Sequence, residues 1–161
     1  MNLAQIKNQL NTKSILLAEE GVLSYPSVIG YDKRFRWSWM ATQLNTFIVA
    51  SDMGDTPLTV IEIEKHLSAS FSYAQKKYNG WPRGLQSGLG VISILISEKI
   101  DPEAIAYCKQ LKSGKKWAGF TIPVVVNSST LEASFFEKNP LWGRIYYPFF
   151  KKMIQDVLQT V

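Results

Sequence analysis

Two apolar runs fix most of what this chain can become. GVISILIS (90–97) is nearly uninterrupted by polar side chains, and FTIPVVVNS (120–128) repeats the pattern further along. A strand with one wet face alternates; a continuous run needs cover on both faces, as at the centre of a parallel sheet. Between the runs, Asp101-Pro102-Glu103 offers a cap, a proline at the first helical position and an acid in the first turn. Ile105, Cys108 and Leu111 mark the inner side of the helix that follows, and Gly114 ends it. Strand, helix, strand at this spacing is a parallel crossover unit with a right-handed connection. Pro123 places the second strand at an edge or a bulge.

The remaining elements arrange themselves around this unit. TFIVAS (46–51) reads as a buried strand. In FRWSWMAT (35–42) Phe35, Trp37 and Trp39 face one way and Arg36 and Ser38 the other, as in a half-buried strand. With a turn at Asn45-Thr46, these two strands pair as an antiparallel hairpin. Residues 2–20 read as a helix with Leu3, Ile6, Leu10 and Leu17 on one side, a break near Asn11-Thr12 and a stop at Gly21. Residues 22–33, carrying Pro26, Gly30 and Asp32, read as irregular or briefly extended. EASFFEK (132–138) is a weaker strand. The last helix turns Phe149, Phe150, Met153, Ile154, Val157, Leu158 and Val161 inward, a face that must be buried on the sheet or on a partner.

Residues 57–78 admit two readings. As a helix, Val60, Ile63, Leu67, Phe71, Ala74 and Tyr78 form one apolar stripe, with Pro57 at the first position and Thr56 or Asp55 as cap. As a strand, VIEIEK (60–65) would extend the sheet begun by the hairpin. More positions agree with the helix, which is the preferred reading. The expected fold class is therefore α/β, with α+β as the alternative: a mixed sheet of about five strands with helices packed on it. Residues 1–161 are long enough for one domain with a substantial core.

A net charge of +5 comes from scattered groups: Lys33, Arg34 and Arg36; Lys76 and Lys77; Lys112, Lys115 and Lys116; Lys151 and Lys152. None is a continuous basic run, so nucleic-acid binding is permitted rather than demanded. The lone Cys108 excludes an internal disulfide and suits a reducing, cytoplasmic compartment. No apolar stretch approaches the roughly 18 residues of a membrane span. MNLAQIKNQLNTK has no basic region followed by an apolar one, so no secretory signal is expected.

NGWPRGLQSGLG (79–90) concentrates four glycines and an arginine in one loop. Phosphate loops run strand, glycines, helix, so that a helix amino terminus supplies backbone donors; here the order is helix, glycines, strand, and no Gly-Lys-Ser/Thr occurs. The bland reading is turns and a bulge that lead into the central strand. The functional reading takes Trp81, Arg83, Gln86 and Ser87 as an aromatic face, a fork donor, an amide and a hydroxyl suited to a small anionic or planar ligand.

Asp52 and Asp55 follow a buried strand and could hold magnesium, or serve as a turn and a cap. His66 is the only histidine, which rules out a multi-histidine metal site; one helical turn from Glu62, it reads as half of a solvated surface pair. Cys108 on an inner helix face reads as an inert buried thiol. LWGRIYYPFF (141–150) is aromatic for a connection: Trp142, Tyr146 and Tyr147 finish the core, or join Arg144 in an exposed interface patch.

Read as a strand, Val-Ile-Glu-Ile-Glu-Lys resembles the third core strand of the restriction-endonuclease-like PD-(D/E)xK nucleases, with Asp52 as the upstream acid and Glu62 as the strand acid. Position 64 is Glu64 rather than lysine, and Lys65 stands one residue late, on the other face of a strand. The resemblance implies at most a non-catalytic relative.

Three function classes follow. The first is a non-enzymatic binding or assembly module, without cofactor or metal, using loop 80–90 and segment 141–150 for a protein partner or small ligand. The second is an enzyme acting on a small anionic substrate, with Arg83 as clamp and Asp52 or Asp55 as base or metal ligand. The third is a nucleic-acid binder stacking bases on Phe35, Trp37 and Trp39, or a degenerate nuclease-like domain. An exposed apolar face would add a homodimer.

Overall fold

The run at 90–97 is the centre of the sheet. Strand β4 (Ser87–Ser97) is buried along its whole length and pairs in parallel with β3 (Thr42–Asp52) on one side and β5 (Gly119–Asn127) on the other. The structure is a computed structural model that describes residues 1–83, 86–111, 119–141 and 143–159. The sheet is completed by β1 (Leu16–Glu19), β2 (Ser27–Arg36) and a two-residue β6 (Ala133–Ser134), in the order β1-β2-β3-β4-β5-β6, with antiparallel pairing at both ends. Parallel neighbours require crossovers, and α2 (Val60–Lys77) and α3 (Pro102–Gln110) supply them.

Strand alternation divides the core between two helical layers. Ile92, Ile94 and Ile96 pack with α1 (Leu3–Thr12) and α4 (Tyr147–Leu158), whereas Val91 and Leu95 face α2 and α3. The result is the expected α/β fold with a mixed sheet. No described helix is long and apolar enough to cross a membrane.

Several boundaries differ from expectation. The first helix stops at Thr12, Ser14 takes a left-handed φ of 56°, and residues 16–19 form an edge strand instead of more helix. Residues 27–36 are a full strand, not an irregular segment. That strand ends at Arg36; Trp37–Trp39 form a 3-10 turn, and Met40 and Ala41 at φ 55° and 57° complete the reversal. The hairpin therefore turns at 37–41, not at Asn45-Thr46. Trp39 swings to the α4 face, where it packs edge-on against Phe149 at 5.1 Å, so it does not share a side with Phe35 and Trp37.

Residues 60–77 are helical, as preferred, with Thr59 rather than Thr56 or Asp55 as the cap. Asp101 precedes Pro102 at the start of α3 as expected. EASFFEK contributes only Ala133–Ser134 to the sheet, so β5 is paired on that side at Val125 and Val126 alone, and Pro123 meets no ladder bond there. α3 ends at Gln110 with Leu111 left-handed at φ 49°, short of the expected stop at Gly114, which like the inward Val161 lies outside the described residues.

Candidate functional surface

β3 begins with two polar side chains on the face turned toward α2. Asn45 is fully buried and Gln43 nearly so, an expensive placement unless their hydrogen bonds are met. They are met from β2 and from the loop. The Tyr31 hydroxyl donates to Asn45 Oδ1 at 2.6 Å, and Lys33 Nζ donates to the Asn79 carbonyl at 3.0 Å. Gln43 Oε1 accepts the Trp81 backbone N–H at 3.1 Å, and the Tyr78 hydroxyl donates to the Trp81 carbonyl at 2.5 Å while bonding Ser87 Oγ. Burial raises the Tyr31 phenol above its ordinary pKa, so it stays a neutral donor.

Gly80 is where this network needs a glycine. A Cβ there would sit 2.6 Å from Asn45 Nδ2 and 2.8 Å from its Oδ1, so only a bare backbone lies this close to the amide. The loop is thereby pinned at Asn79 and Trp81, and the Trp81 ring is presented beside Phe35 at 5.8 Å. Phe35 in turn meets Trp37 edge-on at 5.2 Å. Trp37 is 81% exposed, Trp81 45% and Phe35 38%. Three aromatic rings thus form one open patch, carried on a buried polar hub that spans β2, β3 and the start of β4.

The residues expected from the loop divide. Trp81, Arg83 and Gln86 are exposed; Ser87 is buried in the hub, bonded to Asn45 and Tyr78 rather than open to a ligand. Of the aromatic segment, Arg144 is exposed, Tyr146 is half-buried against Trp39 and Phe120, and Tyr147 is a core residue, which corrects its place in an exposed interface. Trp142 lies outside the described residues. The sequence reading does not single out Tyr31 and Gln43, and it gives Lys33, Asn45 and Tyr78 other roles: a scattered charge, a turn and the apolar stripe of α2. Their one signal is a Gln-x-Asn pair leading directly into the buried TFIVAS.

The acids do not join Arg83. Loop 79–86 meets the start of β3, since Gln43 pairs with Ser87, whereas Asp52 closes the other end of that strand. Ten residue steps at about 3.3 Å each separate the ends. Asp52 Oδ1 accepts the Gly54 N–H at 2.9 Å in a turn, and Asp55 is exposed. Among the described residues, no three His, Cys, Asp or Glu side chains converge.

The nuclease-like comparison also changes. Residues 60–65 lie on a helix, where Glu62 and Lys65 form an i,i+3 ion pair at 2.9 Å, so the strand that carried the resemblance is not present at that position. His66 is not a surface residue paired with Glu62 but a core one, 1% exposed, held between Ser51 Oγ and Ser93 Oγ at 2.6 Å each. Burial pushes the Cys108 thiol up to about 12, which keeps it protonated and unreactive.

Fold and surface together define an α/β domain with helices on both faces of a mixed sheet and an aromatic patch at one sheet end. No family model, no curated protein and no solved structure matches the chain.

Proposed function

We infer that this protein is a binding module that docks a partner protein through Phe35, Trp37 and Trp81. The observation that carries the reading is the supported exposure of Trp37 and Trp81. Tryptophan and arginine are the residues enriched where interface energy concentrates, and Arg83 belongs to the same loop. A pinned loop also loses little conformational freedom on binding, so more of the contact energy is retained as affinity. A single cysteine leaves no internal disulfide to form, in keeping with a cytoplasmic setting.

A second reading has its own support. Exposed rings beside the cations Lys33 and Arg83 are also what a single-stranded nucleic acid uses for stacking, although Trp39, expected as a third platform, is buried.

The test is comparative capture from the native host with tagged wild type and the double variant Trp37→Ala, Trp81→Ala, quantified by mass spectrometry with and without nuclease. A protein retained by wild type, depleted at least about thirtyfold by the double variant and indifferent to nuclease is the expected outcome, since the loss of even one anchor of about 2 kcal/mol costs that much. Nuclease-sensitive capture that weakens steeply with salt transfers the patch to nucleic acid. Identical captures by both proteins, or dimerisation of the wild type through this patch, remove the partner reading.

A further inference from the structure

We propose, on the basis of the docking reading, that the partner of the aromatic patch is acidic: a protein segment that sets apolar side chains among aspartates and glutamates. Charge is divided between the two ends of the sheet. At the end where β3, β4 and β5 finish stand Asp55, Glu98, Asp101 and Glu103, all exposed. At the end where those strands begin, the exposed charges on β2, on the loop after α2 and ahead of α4 are cations: Lys33, Arg34, Arg36, Arg83 and Arg144. The aromatic patch therefore sits in a basic field.

Neighbouring structure does not neutralise these cations. Lys33, Arg36, Arg83 and Arg144 have no carboxylate partner among the described residues. Asp32 and Glu137, on adjoining elements, are already paired with Arg34 and Lys109. Lys76 and Lys77 close α2, where a helix dipole favours positive charge, so they have a local reason to be there. Arg144 has the reverse placement. It stands just before the Tyr146 cap of α4, where the dipole favours an acid. Arg83 belongs to no helix. Cations held without counter-charge, one of them against a dipole, are what incoming carboxylates would relieve.

The apolar part of the surface extends past the three rings and selects protein over nucleic acid. Met40, 83% exposed, caps the same turn as Trp37, and exposed Ile145 follows Arg144 on the segment whose Tyr146 packs on Trp39. Aliphatic and thioether tips offer bases no stacking face but adapt to protein side chains. Phe35 stands at 84° to Trp37 and at 56° to Trp81, so the rings do not form parallel platforms for successive bases. Carboxylates flanking an apolar centre would meet the cations at the rim, where charge governs partner choice and association rate.

A random-peptide phage library, sorted on wild type and counter-sorted on the Trp37→Ala, Trp81→Ala variant, supplies defined probes. The expected peptides carry aspartates or glutamates beside aromatic or aliphatic residues, and their synthetic forms lose affinity as salt rises. Arg83→Glu with Arg144→Glu, both at exposed positions, should weaken them by about tenfold or more, because like charges then face each other. Tryptophan-dependent peptides without an acidic bias overturn the proposal, as does equal affinity in a charge-reversed protein of unchanged melting temperature; both results leave the docking reading standing. A library that yields no tryptophan-dependent peptide also overturns it. Failure of the docking reading shows separately, as identical capture by wild type and the double tryptophan variant. A single-stranded oligonucleotide bound through Trp37 and Trp81 in place of the peptides overturns the proposal and moves the patch to nucleic acid.

Discussion

Ser27, Ser51, His66 and Ser93 bond one another across three strands, and the order of their protons can be worked out. The Ser27 hydroxyl donates to the Tyr25 carbonyl at 2.9 Å, so at the 2.6 Å contact with Ser51 it must accept. Ser51 therefore spends its proton on Ser27 and accepts from His66, which fixes Nε2 as the protonated nitrogen. Nδ1 is then the acceptor for Ser93, with Ser70 at 3.3 Å. A second proton on this ring would face hydroxyls already committed, in the buried interior, and burial accordingly lowers the His66 pKa from 6.5 to about 4. The consequence for stability has a definite sign. Below pH 6.5 the unfolded chain takes up a proton that the folded ring refuses, so stability falls with pH until about 4, where the folded ring also titrates. At 1.36 kcal/mol per unit the loss accumulates to about 3 kcal/mol. Urea denaturation at several pH values between 7 and 4.5 should show this slope in wild type and a flatter one in His66→Gln. Equal slopes would mean the ring is charged, or not enclosed, in the folded state.

Among the elements, the tightest turn carries the wrong residues for its shape. Val22 and Tyr25 bond each other through both backbone groups, at 3.1 and 3.0 Å, and the two residues between them, Leu23 and Ser24, sit at φ 52° and 68°. That is a type I′ hairpin turn, which favours Asn-Gly, because side chains in the left-handed region crowd the backbone at about 1–2 kcal/mol each. Leu23 is exposed, so replacing it forfeits little core. Leu23→Asn with Ser24→Gly should raise stability by about 1 kcal/mol or more, read as a higher denaturant midpoint with an unchanged slope. A lower midpoint would show that the Leu23 side chain contributes contacts outweighing the turn strain.

The same stretch explains what could and could not be read from sequence. β4 and β5 were legible as continuous apolar runs, and α3 and α4, with α2 as the preferred of two readings, because each repeats the helical period. β2 was not: Gly30 and Asp32 look like breakers, yet Gly30 is there because Leu10 of α1 presses on the strand, with a Cβ at that position only 2.8 Å from Leu10 Cδ2. Asp32 faces a cleft beside α4. Neither reason exists until the helices dock. The surface behaves likewise. Trp81, Phe35 and Trp37 could be noted as residue types, but their meeting depends on Gly80 lying against Asn45, a contact between distant parts of the chain.

For the whole molecule, the sheet's construction predicts a gradient of local stability from its centre to its edges. Each β4 residue from Leu89 to Ile96 pairs with both β3 and β5, and both faces are covered, so opening it exposes the two helical layers at once. β6 pairs at two positions, and β1 at three with an irregularity between Leu16 and Ala18, so either can detach with few bonds broken and little apolar surface uncovered. Amide protection follows the cost of the smallest opening that frees each group. Amides of Val91–Leu95 should therefore exchange only through global unfolding, with a free energy equal to that from denaturation, while those of β1 and β6 exchange through openings insensitive to low denaturant. A more informative division would be an intermediate step that frees β1, β2 and β3 together while β4 and β5 stay protected. The register argues against it, because β3 is joined to β4 by ten paired positions, as many as join it to β2. Native-state exchange read by mass spectrometry across a denaturant series should then show one cooperative unit containing β2–β5. A plateau separating the antiparallel half from the parallel half would mean that the chain folds as two units sharing one sheet.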